Sequence, residues 1–341
     1  MALYRALGDR WGLAHALNRM ARASQGQSAF DQARQFAQEA LSLHRALGAP
    51  RGIAYSLGEL GWMLQFMGSF EEAARLERES IALARKTGDR SALAHGLGAL
   101  AGTLGWQGAF AESLSMLEEG LALWDDLGDT RERAQINGWL GVAKASLGHY
   151  KDGRRHNEQG LALAREIDSR SGIGANLCWL GLLTLAEERY VEARQHLQES
   201  VAVFRAYGDR SVMGWVLAAL GGTESRLGQL SEAREHLCEA LRMAAEIRDQ
   251  LTMMMALPFA ALLLADRGEV ERGVEVYALL ASRYPSVANS RLWQDVAGKH
   301  IAALAETLPP GVVAAAQERG RARDLWTTIK ELLAEWEGDD L

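Results

Sequence analysis

Residues 57–73 read LGELGWMLQFMGSFEEA, and this stretch contains the pattern that decides the fold. Leu60 is followed at once by a small residue, Gly61, and a second glycine, Gly68, stands two positions before an aromatic residue, Phe70. Equivalent residues recur every 40 positions along most of the chain, without an insertion. Repetition at a fixed period of this length indicates a repeat protein in which similar units stack along one axis.

Two turns punctuate each unit. The first falls at mostly glycine positions that share one register: Gly8, Gly48, Gly88, Gly128, Asp168, Gly208 and Arg248. The second lies midway between them, at Ser28, Gly68, Gly108, Gly148, Glu188, Gly228 and Gly268. Glycine favours the left-handed conformation that ends a helix, and the aspartate that often follows the first turn can cap the next helix. Each unit is therefore predicted to be helix, turn, helix, turn.

Apolar residues within a unit fall three and four positions apart, which is typical of one face of a helix. On the first helix, one position is always small: Ala21, Gly61, Ala101, Gly141, Gly181, Gly221 and Ala261. The second helix has matching small residues at Ala33, Ala73, Ser113, Gly153, Ala193, Ala233 and Gly273. These sets predict close contact between the two helices of a hairpin. Leucines farther along the second helix, such as Leu121, need neighbouring hairpins to cover them, so the hairpins must stack into a solenoid.

These residues resemble a known family. The tetratricopeptide repeat has the same spacing as Leu60, Gly61, Leu64, Gly68, Phe70 and Ala73. The 40-residue period is longer than the usual repeat of about 34 residues and resembles the maltose-regulator (MalT-like) type, found in sensor regions of STAND-type signal-transduction ATPases. The tail, with residues 314–322, is similar over roughly a fifth of the chain to the ends of LuxR-type or antibiotic-regulatory transcription activators. The resemblance implies a sensor region linked covalently to an N-terminal regulatory or ATPase domain.

The sequence thus predicts an all-α protein: a right-handed superhelical solenoid of about seven 40-residue helix-turn-helix repeats with a C-terminal helical cap. The repeats are placed within residues 10–283, at 10–47, 50–87, 90–127, 130–167, 170–207, 210–247 and 250–283. Residues 284–341 are interpreted as the cap, and residues 1–9 as the remnant of a preceding repeat. We therefore expect a fragment of a longer protein, with an apolar end exposed at Leu3, Leu7, Leu13 and Leu17.

Composition narrows the possible functions. The chain has 341 residues, of which 48% are apolar, and only five prolines, which favours a large helical protein. Its 37 basic and 44 acidic residues are interleaved, so direct nucleic-acid binding is not expected. The apolar run from Met253 to Ala265 is too short to span a bilayer, and there is no secretory signal. A cytoplasmic protein with free thiols at Cys178 and Cys238 is expected.

No motif for catalysis or for a cofactor stands out, and enzyme activity is not expected. His156, His196 and His236 share one register, but successive hairpins stack too far apart for all three to reach one metal ion. We interpret them as a solvated row on the second helices. Periodic carboxylates such as Glu39 are interpreted as exposed helix surface. Asn137 replaces leucine at a core position, so its amide either bonds a neighbouring helix carbonyl or offers a polar group to a ligand.

The inner surface carries the functional signal. In tetratricopeptide solenoids the first helices line a concave groove, and the matching positions here are the candidate binding residues: Tyr55, Gly58, Trp62, Phe66, His95, Gly98, Gly102, Trp106, Gln135, Gly138, Trp139, Trp179 and Trp215. A glycine inside a helix costs roughly 1 kcal/mol relative to alanine. Bare backbone beside tryptophan therefore favours a pocket for a flat or apolar group. The alternative is that these tryptophans fill the interior of the solenoid.

Two functions remain open. The first is a ligand- or protein-binding sensor module of a larger cytosolic regulator, with a small-molecule inducer or a peptide or protein segment bound in the groove. The second is a constitutive protein–protein scaffold that has no small-molecule ligand.

Overall fold

The computed structural model describes residues 2–26, 29–208 and 210–338, which form helices joined by short turns. No β-strand occurs among these residues. The predicted turn at Ser28 lies outside them, as do Met1 of the predicted remnant and residues 339–341 of the predicted cap. The described chain is an all-α solenoid of antiparallel helix pairs.

Seven hairpins follow a short helix, α1 (Ala2–Leu7). Their helices are α2 (Arg10–Gly26), α3 (Phe30–Ala46), α4 (Pro50–Phe66), α5 (Phe70–Thr87), α6 (Arg90–Trp106), α7 (Phe110–Leu127), α8 (Thr130–Ser146), α9 (Tyr150–Glu166), α10 (Arg170–Ala186), α11 (Tyr190–Tyr207), α12 (Arg210–Arg226), α13 (Leu230–Ile247), α14 (Gln250–Asp266) and α15 (Val270–Arg283). The first helices of successive hairpins begin 40 residues apart, as the sequence predicts. The grouping of these helices into domains stays a prediction.

A series of shorter helices follows the last hairpin. These are α16 (Pro285–Asn289), α17 (Arg291–Trp293), a π-helix, π1 (Gln294–Gly298), α18 (Lys299–Ala305), α19 (Pro310–Ala322) and α20 (Leu325–Gly338). Helix α19 packs along α15, and α20 lies against α13. This cap therefore covers the second helices of the last two hairpins.

The turns adopt the predicted left-handed conformation. Backbone φ is positive at Gly8, Gly48, Gly68, Gly88, Gly108, Gly128, Gly148, Gly208, Gly228 and Gly268. It is also positive at Asp168, Glu188 and Arg248, where the repeat has another residue in place of glycine. The side chains of Asp89 and Asp129 accept hydrogen bonds from the first turn of α6 and α8, at 3.0 and 3.1 Å. The predicted helix caps are thus confirmed at these positions.

The helices of each hairpin touch through their small residues. A Cβ atom at Gly153 would lie only 2.7 Å from the carbonyl oxygen of Gly141. One at Gly273 would lie 2.7 Å from the carbonyl oxygen of Ala261. At the third hairpin the Ser113 hydroxyl donates a 2.7 Å hydrogen bond to the matching backbone carbonyl. The predicted close contact is therefore confirmed.

Ion pairs join the second helices of neighbouring hairpins on the outer surface. The pairs are Arg5–Glu39, Arg45–Glu79, Arg85–Glu119, Arg165–Glu199 and Arg205–Glu239, with N–O distances from 3.0 to 3.6 Å. The glutamates are exposed, as the sequence indicated, but it did not reveal their arginine partners. Each exposed pair contributes little to stability. Because Arg5 of α1 joins the same series, α1 lies where the end of a second helix would lie.

Only two of the four apolar residues predicted to be exposed near the start of the chain are exposed. Leu3 and Leu7 are 69% and 70% exposed, as expected. The expectation for Leu13 and Leu17 is wrong, because both are buried. They pack with Ala40 inside the first hairpin, so this hairpin buries its own core.

The solenoid curves so tightly that hairpins distant in sequence meet. The ring of Phe66 on α4 stacks on that of Trp215 on α12, with centroids 6.3 Å apart. Gly68, in the turn after α4, lies against the side chain of Gln250 at the start of α14. The inner faces of the first helices therefore surround a common interior.

The segment from α16 to the start of α18 crosses the turns of hairpins three to five. The backbone of Pro285 lies against Gly108, and the Tyr150 hydroxyl donates a 2.7 Å hydrogen bond to the carboxylate of Asp295. Lys299 pairs with Glu188 at 2.8 Å. The cap thus closes this side of the common interior.

Replacing Gly153 with alanine should lower the free energy of unfolding by about 1–3 kcal/mol, since the added methyl group must push the two helices apart. The control is Gly98→Ala, because nothing lies within 4 Å of a Cβ atom at Gly98. There alanine should stabilise the helix by roughly 1 kcal/mol. Urea unfolding followed by circular dichroism measures both variants. Equal stability of the two would contradict the close backbone contact.

Candidate functional site

Tryptophans from five successive first helices form one connected cluster in the interior. Trp139 on α8 contacts Trp62, Trp106 and Trp179, with ring centroids 6.2, 6.4 and 5.7 Å away. Trp215 on α12 contacts Trp106 and Trp179 at 5.9 and 6.2 Å. The repeat places these rings on the same face of stacked helices, and the curvature of the solenoid brings them together.

Two cavities adjoin this cluster. The larger has a volume of about 310 Å³ and is walled by the rings of Trp62, Phe66, Trp139, Trp179 and Trp215. The smaller, of about 230 Å³, lies beside His95 and Gly98. Both cavities are lined by Arg22, Gln25, Trp62, Glu132, Gln135 and Trp139. We refer to the two cavities together as the central chamber.

A third cavity lies on the other side of Trp139. It measures about 50 Å³ and lies between Trp106, Trp179 and the cap residue Trp293. Met255 of α14 and Leu292 of the cap also line it. The interior beyond the central chamber is therefore filled mostly by aromatic and aliphatic side chains.

The structure brings most of the predicted binding residues to the central chamber. Those that line it are Trp62, Phe66, His95, Gly98, Gln135, Gly138, Trp139, Trp179 and Trp215. Gly102 and Trp106 line the third cavity instead. Tyr55 lies behind His95, with ring centroids 5.7 Å apart, and Gly58 faces Ser80 of α5. Ligand binding by any of these residues stays a prediction.

An ion pair supports one wall of the chamber. The Glu59 carboxylate is fully buried, and it accepts hydrogen bonds from Nε and Nη2 of Arg22 at 2.7 and 2.6 Å. Burial disfavours the charged guanidinium, but the Glu59 carboxylate outweighs this effect and raises the pKa of Arg22. Nε2 of His95 lies 2.5 Å from the same guanidinium. Hairpins one, two and three therefore meet at this group.

Apart from His95 and Gln135, the candidate binding residues did not include the polar residues of the chamber wall. These include Arg22, Gln25, Arg131, Glu132 and Asn176. The available signal for Arg22 was Glu59, which stands next to a core leucine in α4. A cationic partner stabilises a buried, charged carboxylate, and the first hairpin supplies one for Glu59.

A second buried carboxylate belongs to Glu77 of α5. Glu77 accepts hydrogen bonds from Nε2 of Gln65 and from the hydroxyl of Thr103, at 3.0 and 2.7 Å. Burial raises the pKa of Glu77 to about 7, although both hydrogen bonds favour the charged form. Gln65 also donates to the carbonyl of Ala99 at 3.1 Å, so this group links α4, α5 and α6.

The other polar candidates have local partners. Asn137 donates to the carbonyl of Arg133 and contacts Nδ1 of His156, both at 2.8 Å, so its amide is satisfied within the helix pair. Nδ1 of His236 lies 2.7 Å from the Glu224 carboxylate. In the part of the chain that the structure describes, no cluster of histidine, cysteine, aspartate and glutamate could hold a metal ion. Nor is any helix of that part both long and apolar enough to cross a bilayer.

The comparison with protein families gives one match, to the tetratricopeptide repeat, at residues 12–86 and 173–246. The first segment covers hairpins one and two, and the second covers hairpins five and six. No curated protein has significant sequence similarity to this chain.

Solved structures share the fold at low sequence identity. A Rap protein complexed with competence and sporulation factor is 16% identical, with a TM-score of 0.65 over 97% of this chain and 99% of that one. The apo form of RapI is 12% identical, with a TM-score of 0.55 over 85% and 99% of the two chains. A STAND protein with a tetratricopeptide repeat sensor, from Pyrococcus horikoshii, is 14% identical, with a TM-score of 0.51 over 95% of this chain and 50% of that one. These similarities show the fold alone.

The raised pKa of Glu77 predicts a pH dependence of stability. Between about pH 4.5 and pH 7 the folded protein holds the Glu77 proton more tightly than the unfolded chain, so the stability from this group falls as pH rises. Glu77→Gln should remove this slope. The free energy of unfolding of Glu77→Gln relative to that of the parent should rise across this window by up to about 3 kcal/mol, because each pKa unit corresponds to about 1.4 kcal/mol.

Urea unfolding at a series of pH values measures this difference. The control is Glu79→Gln, since Glu79 lies on the same helix and is exposed. This variant should keep the slope of the parent. A Glu77→Gln profile parallel to that of the parent would show that the pKa of Glu77 is the same in the folded and the unfolded protein.

Proposed function

We propose that the chain is a sensor module that binds its inducer or partner on the concave side of the solenoid, because residues 12–86 and 173–246 match the tetratricopeptide repeat. In this proposal it is part of a larger cytoplasmic regulator of the MalT-like, STAND type. A covalently linked N-terminal regulatory or ATPase domain then responds to the bound state. The module itself carries out no reaction.

The central chamber is the observation that carries this proposal. It is walled by Trp62 of the second hairpin, Trp139 of the fourth, Trp179 of the fifth and Trp215 of the sixth. A ligand there contacts four hairpins at once, so its binding energy depends on how the solenoid curves. A ligand that prefers one curvature shifts the protein towards it, which is what a sensor requires.

The similar structures support a sensor without identifying its ligand. One is bound to competence and sporulation factor, and another contains a tetratricopeptide repeat sensor within a STAND protein. The alignment with the STAND protein covers 95% of this chain and 50% of the STAND protein. This relation supports a module of the present size within a larger regulator.

The scaffold alternative has less support. A constitutive partner segment would need an open concave groove, but Phe66 and Trp215 stack across the interior and the cap occupies its far side. The room that remains is a chamber rather than a channel. This shape favours a small inducer or the end of a peptide over a long partner segment.

Gly98→Leu should abolish retention of the native ligand. A Cβ atom at Gly98 meets nothing within 4 Å, so a leucine would extend into the smaller cavity without disturbing the helix. Native mass spectrometry of protein purified from its own host should show a bound small molecule in the parent and none in the variant. Circular dichroism should show equal helicity.

Gly311→Leu is the matched control, because Gly311 is also helical and unobstructed but lies in α19, away from the chamber. This variant should keep the ligand. Trp106→Ala separates binding from packing. It should lower the melting temperature but leave most of the ligand bound, since Trp106 lies in the third cavity against Trp139 and Trp215. Equal ligand retention in the parent and Gly98→Leu would contradict binding in the chamber.

A further inference from the structure

We propose that the central chamber binds a planar, uncharged molecule whose polar groups are mainly hydrogen-bond acceptors, such as ring carbonyl oxygens. This inference rests on the proposed function, because it names the ligand class of the same chamber. It follows from the shape of the chamber, from its unpaired donors and from the balance of its charges.

The chamber is suited to a flat molecule. Its walls are aromatic faces and edges, with Trp62 and Trp139 perpendicular to one another at 83°. Gly98 lines the smaller cavity with nothing within 4 Å of its Cβ position, and Gly138 lines the larger cavity beside Asn176. Aromatic rings pack well against flat apolar groups. A bulky aliphatic group would leave much of these ring faces without contact.

The tryptophans that wall the larger cavity have indole N–H groups without a partner among the described residues. The indole N–H groups of Trp62, Trp139 and Trp179 donate to none of the residues that the structure describes, and they are not fully buried. The N–H group of Trp215, in the same wall, is fully buried and also unpaired. Indole nitrogen donates and cannot accept. A ligand with carbonyl oxygens would satisfy these four donors, and the same lining includes a buried, unpaired acceptor, Oδ1 of Asn176. A ligand with more acceptors than donors therefore fits it best.

The charges around the chamber cancel. Arg22 is neutralised by the buried Glu59. Arg131 and Glu132, which line the larger cavity, have opposite charges, and neither forms an ion pair within the described part of the chain. Because these two opposite charges line one cavity and offset each other, a ligand with a net charge would lose its hydration for little electrostatic gain. The chamber therefore favours a neutral ligand.

Two dyes with the same fused rings test this inference. Nile red is neutral and has a ring carbonyl, whereas Nile blue is a cation with an amino group in place of that oxygen. Fluorescence titration of the whole chain should show binding of Nile red at least about tenfold tighter than that of Nile blue. An apolar cleft of about 880 Å³ between α15, α18 and α19 also offers room for a dye. Only the binding that Gly98→Leu removes is therefore assigned to the chamber.

A tryptophan-to-phenylalanine pair tests the donors. Trp139→Phe keeps a ring in all three cavities but removes the N–H group, so it should weaken chamber binding of Nile red about three- to tenfold. Trp336→Phe is the matched control. Trp336 has a buried, unpaired indole N–H in α20 and lines none of these cavities. Its replacement should leave Nile red binding unchanged.

The outcomes separate this inference from the proposed function. Equal or tighter chamber binding of Nile blue overturns the ligand class, as does equal binding of Nile red by Trp139→Phe and the parent. Nile red binding that persists in full in Gly98→Leu also overturns it. If a native ligand is nevertheless lost in Gly98→Leu, the proposed function stands and only the ligand class is wrong. If neither the dye nor a native ligand depends on Gly98, both fail.

Discussion

The close approach of two helix backbones within each hairpin is the contact on which the rest of the structure depends. At Gly153 and Gly273 the partner carbonyl lies where a side chain would otherwise begin. Hairpins held this closely stack with a regular curvature, because each repeats the geometry of the one before. The curvature is strong enough to bring α4 against α12 and α14. A solenoid with wider hairpins would not enclose the same interior.

The two interpretations of the tryptophans apply to different members of the cluster. Trp179 and Trp215 are 6% and 4% exposed, so most of their surface serves as packing. Trp62 and Trp139 are only partly buried and line both cavities of the chamber. Trp106 lies in the third cavity, where the cap limits the space. Trp179 and Trp215 therefore serve mainly as packing, and the proposed binding concerns chiefly Trp62 and Trp139.

The repeat made most of the fold predictable, because a period of 40 residues fixes every helix start once one hairpin is recognised. The contacts that close the interior were not predictable in this way. Phe66 and Trp215 belong to different registers of hairpins two and six, and no periodicity indicates that they stack. The same holds for the hydrogen bond between Tyr150 and Asp295, since the cap has no repeat. Periodicity was also insufficient at Gly58. Its position in the repeat predicts that it lines the groove, but it faces Ser80 of α5.

The buried carboxylates connect the chamber to the packing of the hairpins. Glu59 joins Arg22 of α2 to α4 and stands beside His95 of α6. Glu77 of α5 holds Gln65 of α4 and Thr103 of α6. Each group links helices of neighbouring hairpins, and Arg22 of the first group lines the chamber. Buried polar groups tolerate little change in geometry, because a lost partner leaves an unpaired group in a low-dielectric interior. A ligand that shifts Arg22 or Trp62 therefore acts on the spacing of the first three hairpins. A local contact in the chamber can in this way bias the curvature of the whole solenoid.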